Sequence, residues 1–417
     1  MVSGGKLGGI SRVWRSRNYR YFWLGNAGSL IGFWIYKLAI GWLTWELTES
    51  PFWLGMVGFA ALFPAAFLSP LAGAVADRFG QRRTAMWALA ATAAVPFAIA
   101  ALVFSEKITP ELIFVLTLAQ GTCIAFDLPA RISLVPYLVE RDNLASAIAL
   151  NSTTFHAGAF IGPALFGLIN AKLGLGVALA QYGVMQMAFI AALSLIEVNE
   201  ERSSSRGVMS LATDIKDGVR YVFAQPGVLS IFALSAMTHL AVRPYMDLLP
   251  GFAGNVFHLD ASGFAVLAAA TGIGAIVGGL LIALRGGIIG LTRINVFANL
   301  AAILSLLVFS ILGIFWLGLA TLAILGFALV TAAVTSQTLV QGRVDPKIRG
   351  RVISLSTGMA VGFPAIGAII QGSLGSTFGI QAPVAGSMVL ALIYWIWAAR
   401  RLMGNAVDLE TTFSQAR

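Results

Sequence analysis

Two cations stand where an apolar chain has little use for them. Lys37 lies inside SLIGFWIYKLAIGWLTWELT (29–48) and Arg243 inside LAVRPYMDLLP (240–250), both in helix-length apolar runs. A cation placed there costs roughly 3 kcal/mol on insertion scales, so it usually faces a partner or a cavity. Attraction of an anion is the chemistry open to it. Phe33, Trp34, Tyr36 and Trp42 surround Lys37 with aromatic faces that either stack on a ring system or hold a cation, or are simply lipid-facing bulk. Lys37, Arg243, Trp34 and Tyr36 are therefore candidate contacts for an anionic or partly anionic organic solute. The competing reading is structural: Lys37 pairs with Glu46, Asp247 or a group on helix 4 or 5, and Arg243 is neutralised by Asp247 four residues on.

Carboxylates and imidazoles near a membrane can carry protons. The candidates are Glu46, Asp127, Asp247 and His156. Asp127 and Arg131 are four residues apart and can pair on one helix face, although Pro129 between them can distort that turn. The pair reads either as a structural ion pair or as a site where Asp127 takes up a proton. His156 and His239 fall in apolar runs and His258 in a loop. An imidazole titrates in a useful pH range or serves as a neutral hydrogen-bond partner between helices. No hydrolase or metal constellation can be assembled from these residues, so neither an enzyme nor a cofactor is expected. The single cysteine, Cys123, excludes an intrachain disulfide.

These groups need a frame, and composition supplies it. Of 417 residues 58% are hydrophobic and 11% charged, far from the roughly 25% charged residues of a soluble protein. Crossing about 30 Å of hydrocarbon takes about 20 apolar residues, and the chain offers twelve such runs. They fall near 19–47, 52–76, 84–104, 110–131, 143–170, 175–197, 226–252, 261–284, 294–314, 316–340, 350–374 and 381–399. Lys and Arg collect at one side of these spans, which the positive-inside rule assigns to the cytoplasm together with both termini. Lys37 and Arg243 are the two cations that the rule leaves unplaced. The net charge of +9 follows from this asymmetry, so no nucleic-acid partner is expected. The first run is too long for a signal peptide's apolar core and is expected to stay in the mature protein.

The chain also matches itself. The segment from Ser133 lies over the segment from Thr338, an offset of 205 residues, with Leu134, Val135, Val139, Ile148, Leu150, Ile161, Gly162 and Gly167 meeting identical residues. The same offset carries Lys37 to Val242, beside Arg243. This divides the chain into a six-helix bundle (1–196), a polar linker (197–225) and a second six-helix bundle with a tail (226–417). In the linker, Leu211, Ile215, Val219 and Val222 form one apolar stripe, which predicts a short surface helix and not a thirteenth span. Two parallel six-helix repeats are a transporter architecture, with solute bound between halves that rock to alternate access.

Two motifs carry a family resemblance. GAVADRFGQRRT (73–84) resembles the signature loop of the major facilitator superfamily, with Gly73, Asp77, Arg78, Gly80, Arg82 and Arg83 in place and Gln81 where a basic residue is usual. GAFIGPALFG (158–167) resembles the superfamily's antiporter motif through Gly158, Gly162, Pro163 and Gly167, with Phe166 in place of a glycine. Together with RNYRYFWLGNAGSLIG, FDLPARISLVPYLVERDNLASAIALNS and LVQGRVDPKIRGRVISL, the chain resembles the bacterial exporter branch that includes macrolide-efflux and enterobactin-exporter proteins. The resemblance implies the twelve-helix major facilitator fold in the cytoplasmic membrane, and export of a small organic solute coupled to proton entry by a monomer in the lipid bilayer. It implies that the 73–84 loop latches the halves on the cytoplasmic side, whereas basic residues there can also simply fix topology. It leaves the helix 5 glycines open between an export-specific gate and plain packing. The arginine that family antiporters carry three residues before a Gln-Gly pair is replaced by Thr117 before Gln120-Gly121. A sensor or assembly partner with a transporter fold, or an importer of an organic anion, stays open as an alternative.

Overall fold

The structure, a computed structural model, describes residues 8–198 and 208–411. Among them twelve helices are long and apolar enough to span a membrane. In chain order they are α1 (Arg17–Thr48), α2 (Pro51–Phe79), α3 (Gln81–Phe104), α4 (Pro110–Leu134), α5 (Leu144–Leu173) and α6 (Leu175–Ser194). The second set is α7 (Pro226–Val256), α8 (Ala261–Arg285), α9 (Leu291–Ile311), α10 (Phe315–Arg343), α11 (Arg349–Phe378) and α12 (Gln381–Gly404). Large apolar side chains such as Trp87, Leu284, Trp316 and Leu390 are exposed, as a lipid-facing surface requires. A linker helix (Val208–Ala224) and a short tail helix (Ala406–Glu410) complete the second set. Tight joints are made by glycine at positive φ. Gly174 (φ 84°) between α5 and α6 and Gly379 (φ 78°) between α11 and α12 are separated by the repeat offset and share a positive φ with an extended ψ, open to glycine.

Contacts group the chain into two compact units, one of Met1–Leu43 with Phe67–Val208 and one of Thr44–Ala66 with Met209–Arg417. In the first, Tyr19, Phe22, Leu89, Leu134, Phe189 and Leu193 form one buried cluster. The Tyr19 hydroxyl donates to the Ala147 carbonyl (3.0 Å) and Trp23 Nε1 to the Thr154 hydroxyl (3.0 Å), tying α1 to α5.

In the second unit, α8 and α10 approach so closely that a Cβ at Gly274 would run into the Ala323 carbonyl, and one at Gly326 into that of Thr271. The C-terminal end of α1 and the N-terminal part of α2 belong here as well: Gly372 of α11 has room only for hydrogen against the Pro51 carbonyl. The linker helix, which the apolar stripe predicted, docks through buried Val222 and through an Asp217–Arg351 ion pair of 2.7 Å.

α7 is the irregular member. Its first part, Pro226–Met237, is regular; Thr238–Val242 is a π-helical turn; the helix resumes at Tyr245 and widens again over Phe252–Val256. Pro244 explains the first break. It has no N–H for the Leu240 carbonyl one turn back, and its ring crowds that carbonyl. By contrast, Pro129 leaves α4 continuous from Pro110 to Leu134.

Candidate functional site

The break in α7 opens onto a cavity of about 280 Å³ within the second unit. Its polar wall includes His239 and Arg243 from α7, Asn299 from α9, and Gln337 and Gln341 from α10. Ile231, Phe232 and Met359 supply an apolar wall opposite in character. A network behind the wall uses up the amides. The Thr238 hydroxyl donates to Asn299 Oδ1, Asn299 Nδ2 donates to the Asn295 carbonyl (2.8 Å), and Asn295 Nδ2 donates to the Ala332 carbonyl and the Thr335 and Ser336 hydroxyls at 2.8–2.9 Å. Buried amides that are fully satisfied make a rigid wall.

Arg243 has no such closure. No carboxylate pairs with it among the described residues, and its side chain stays accessible. The expected neutralisation by Asp247 fails because the helical register is interrupted between them at Arg243–Pro244. Asp247 instead approaches Gly58 of α2, where a Cβ would lie 3.0 Å from its carboxyl carbon.

The first unit treats its own intramembrane cation differently. Arg131 Nε donates to Asp127 Oδ1 at 2.7 Å, a second guanidinium nitrogen pairs with Oδ2, and Nη1 reaches Asn26 Oδ1 at 3.3 Å. The guanidinium carbon also lies 4.9 Å from the centre of the Phe189 ring. Both residues of the pair are buried within the protein.

The remaining sequence candidates fall into distinct places. Lys37 is half-buried on α1. Trp34 is wedged between α1 and α5: Gly158 and Gly162 are the positions that admit it, a Cβ at Gly158 meeting its ring at 3.1 Å and one at Gly162 meeting its Cβ at 2.5 Å. Pro163 is buried in an α5 that remains helical, and Gly167 is half-buried one turn on. Those glycines thus have a packing role in this structure. Tyr36, expected beside a solute, is 3% exposed with its ring 5.2 Å from that of Tyr182 on α6. It is a packing residue here. Glu46 and His156 are exposed.

In the 73–84 loop Gly80 adopts φ 94°, which allows α2 to pass into α3 with one residue between them. Arg82 donates to the carbonyls of Leu193 (2.8 Å) and Ser194 (2.9 Å), satisfying the last turn of α6. Arg78 and Arg83 are exposed. The side chains of Gly73 and Asp77 lie outside the described residues.

The equivalent loop of the second unit has no acid of its own, but the tail helix supplies one. Glu410 accepts from the backbone N–H groups of Gly290 (2.7 Å) and Thr292 (3.0 Å) at the start of α9. Partial burial pushes this carboxyl up, but the two backbone donors, Thr292 and nearby Arg285 hold it below its ordinary value.

The profile of the transmembrane secretion effector family matches residues 12–413. The chain belongs to that family of major facilitator transporters. The staphyloferrin A transporter of Staphylococcus aureus is 23% identical over 87% of this chain and 90% of its own length. An enterobactin exporter, EntS of Escherichia coli, is 26% identical over 82% of this chain and 79% of its own. Among solved structures, a bacterial homologue of the lysosomal transporter Spinster superposes with a TM-score of 0.70 over 95% of this chain and 98% of that one, at 16% identity. The nucleoside transporter NupG superposes with a TM-score of 0.69 over 92% and 99%, at 15% identity. The fold and family expected from the two motifs are therefore those found. This major facilitator protein is a multi-pass membrane transporter of an organic solute, and not an enzyme.

His239 is the functional candidate that sequence reasoning passed over as a neutral helix partner. The repeat offset would have found it, since it carries Trp34 onto His239.

Proposed function

We propose that this protein exports a partly anionic, amphipathic organic solute from the cytoplasm, by alternating access coupled to proton entry, with both termini cytoplasmic and with Arg243 as the group that holds the anion. One observation carries the reading: an intramembrane guanidinium without a carboxylate partner opens on a cavity with one polar and one apolar wall. An exporter of cations would need acids at that place. The names of two relatives, a staphyloferrin A transporter and an enterobactin exporter, support an organic solute and the outward direction. Lys37, which the repeat offset carries to within one residue of Arg243, is the other candidate cation, in the first unit.

Thermal-shift measurements on purified protein with naphthoate, naphthalenemethanol and naphthylmethylammonium test the charge. The expected result is stabilisation by naphthoate alone, lost in Arg243→Gln and reduced in Lys37→Met. Stabilisation by the ammonium compound would reverse the assignment. Direction is read in everted membrane vesicles given an acid interior: accumulation of naphthoate fits export against proton movement, and accumulation only in right-side-out vesicles makes the protein an importer.

A further inference from the structure

We infer that His239 is a second anion contact, a neutral imidazole that donates from Nε2 beside Arg243, so that the site takes a carboxylate whose two oxygens are shared between guanidinium and imidazole. The inference rests on the anion reading of the Arg243 cavity and adds the residue that sets its specificity.

Three observations lead there. His239 lines the cavity, yet its Nδ1 is buried with no hydrogen-bond partner among the described residues. The edge of the ring that faces the cavity is therefore the opposite one, which carries Nε2. A neutral imidazole has one N–H and one bare nitrogen, and a buried orphan acceptor is tolerated better than a buried orphan donor. The N–H accordingly sits on Nε2, toward the ligand.

The second observation is the backbone. His239 belongs to the π-helical turn Thr238–Val242, and Arg243 follows it directly, so both side chains issue from one widened stretch of α7 onto the same space. Such turns recur at functional sites because they re-aim side chains that a regular helix would spread around its axis.

The third is the company. α9 presents Asn299, α10 presents Ser336, Gln337 and Gln341, and α11 presents Ser356 and Thr357, so Arg243 is the other charged or titratable side chain lining the cavity. Asn299 is already bound to Thr238 and Asn295. With Nδ1 offering a proton no acceptor, the ring serves as a neutral donor.

The pseudo-equivalent position makes the same point by contrast. Trp34 fills its seat with a ring clasped by Gly158 and Gly162, whereas His239 occupies the corresponding place beside open volume.

The test is naphthoate binding to the purified full-length chain, measured by titration calorimetry in wild type, His239→Gln, His239→Leu and Arg243→Gln at pH 6 and pH 8. His239→Gln keeps an N–H donor and should bind within about threefold of wild type, while His239→Leu should lose about tenfold, the usual value of one neutral hydrogen bond. Wild-type affinity should be the same at both pH values, because the donor is not an imidazolium. Equal binding in His239→Leu and wild type, or equal losses in the Gln and Leu variants, would overturn the donor assignment. So would binding that tightens at pH 6 in wild type but not in His239→Gln. Those results leave Arg243 standing if Arg243→Gln still abolishes binding. Absence of naphthoate binding in wild type, by contrast, removes the anion reading and this inference with it.

Discussion

In the first repeat Gly162 of α5 closes on Trp34 of α1; 205 residues later Gly367 of α11 closes on the α7 backbone at Leu240, and the residue standing at the place of Trp34 is His239. The seam is the same, a glycine letting one helix sink against another. Its filling differs. The first repeat closes with aromatic rings, Trp34 against Phe155 and Tyr36 against Tyr182, whereas the second leaves a polar cavity. The arginines follow suit: Arg131 is buried, held by Asp127 and Asn26 and stacked on Phe189, whereas Arg243 lines the cavity with an accessible side chain. A cation inside a membrane protein is thus read by how completely its own unit satisfies it, and not by its presence.

Removing one partner of the satisfied pair should have the largest effect. Asp127→Asn leaves a buried guanidinium uncompensated and should cost about 3–5 kcal/mol, seen as a large fall in the thermal unfolding midpoint in detergent. Adding Arg131→Met should recover most of that loss. Arg243→Gln, under the same conditions, should leave the midpoint unchanged or raise it. If Asp127→Asn is stable and Arg243→Gln is not, the contrast between the two arginines collapses.

The shared seam is the next target. Gly367→Ala places a methyl against the Leu240 carbonyl and the Pro244 ring and should destabilise by about 1–3 kcal/mol. Gly386→Ala on α12, where nothing lies within 4 Å, should be neutral or slightly stabilising. Equal midpoints for the two variants would mean that the close approach of α11 to α7 carries no energy.

Smallest is the tail. Glu410→Gln removes a charged cap from α9 and should cost about 1 kcal/mol or less. The sign with pH follows from the lowered carboxyl: the tie is fully present above the ordinary value of 4.5 and is lost as pH falls through the lower folded-state value. Wild type and Glu410→Gln should therefore differ at pH 7 and converge only as pH falls below the lowered folded-state value. A constant difference across that range would show that the carboxylate charge is not what holds α9.

Much of this architecture could be read from the sequence because a bilayer imposes its own ruler. Twelve apolar runs fix twelve helices, and a repeated Gly-rich pattern fixes which helices correspond. Arg243 stood out for the same reason, as a charge in the wrong solvent. Other features had no local signature. The fate of Arg243 depended on the break at Pro244, where two residues four apart in sequence stop sharing a helical face. Tyr36 looked like a solute contact because its neighbours are aromatic, but aromatic composition does not say which face of α1 meets α6. The acid missing from the loop before α9 came from Glu410, 120 residues further along the chain. Only tertiary placement reveals such a loan.

That loan bears on how the protein is made. The last turn of the described chain, Ala406–Glu410, buries Leu409 against Gly227, pairs Asp408 with Arg343 at 2.7 Å, and caps α9 through Glu410. A nascent chain that stops short of residue 410 would hold all twelve spans and still lack the piece that closes its second unit. Such a chain would leave the start of α9 without its carboxylate cap and the apolar notch at Gly227 open.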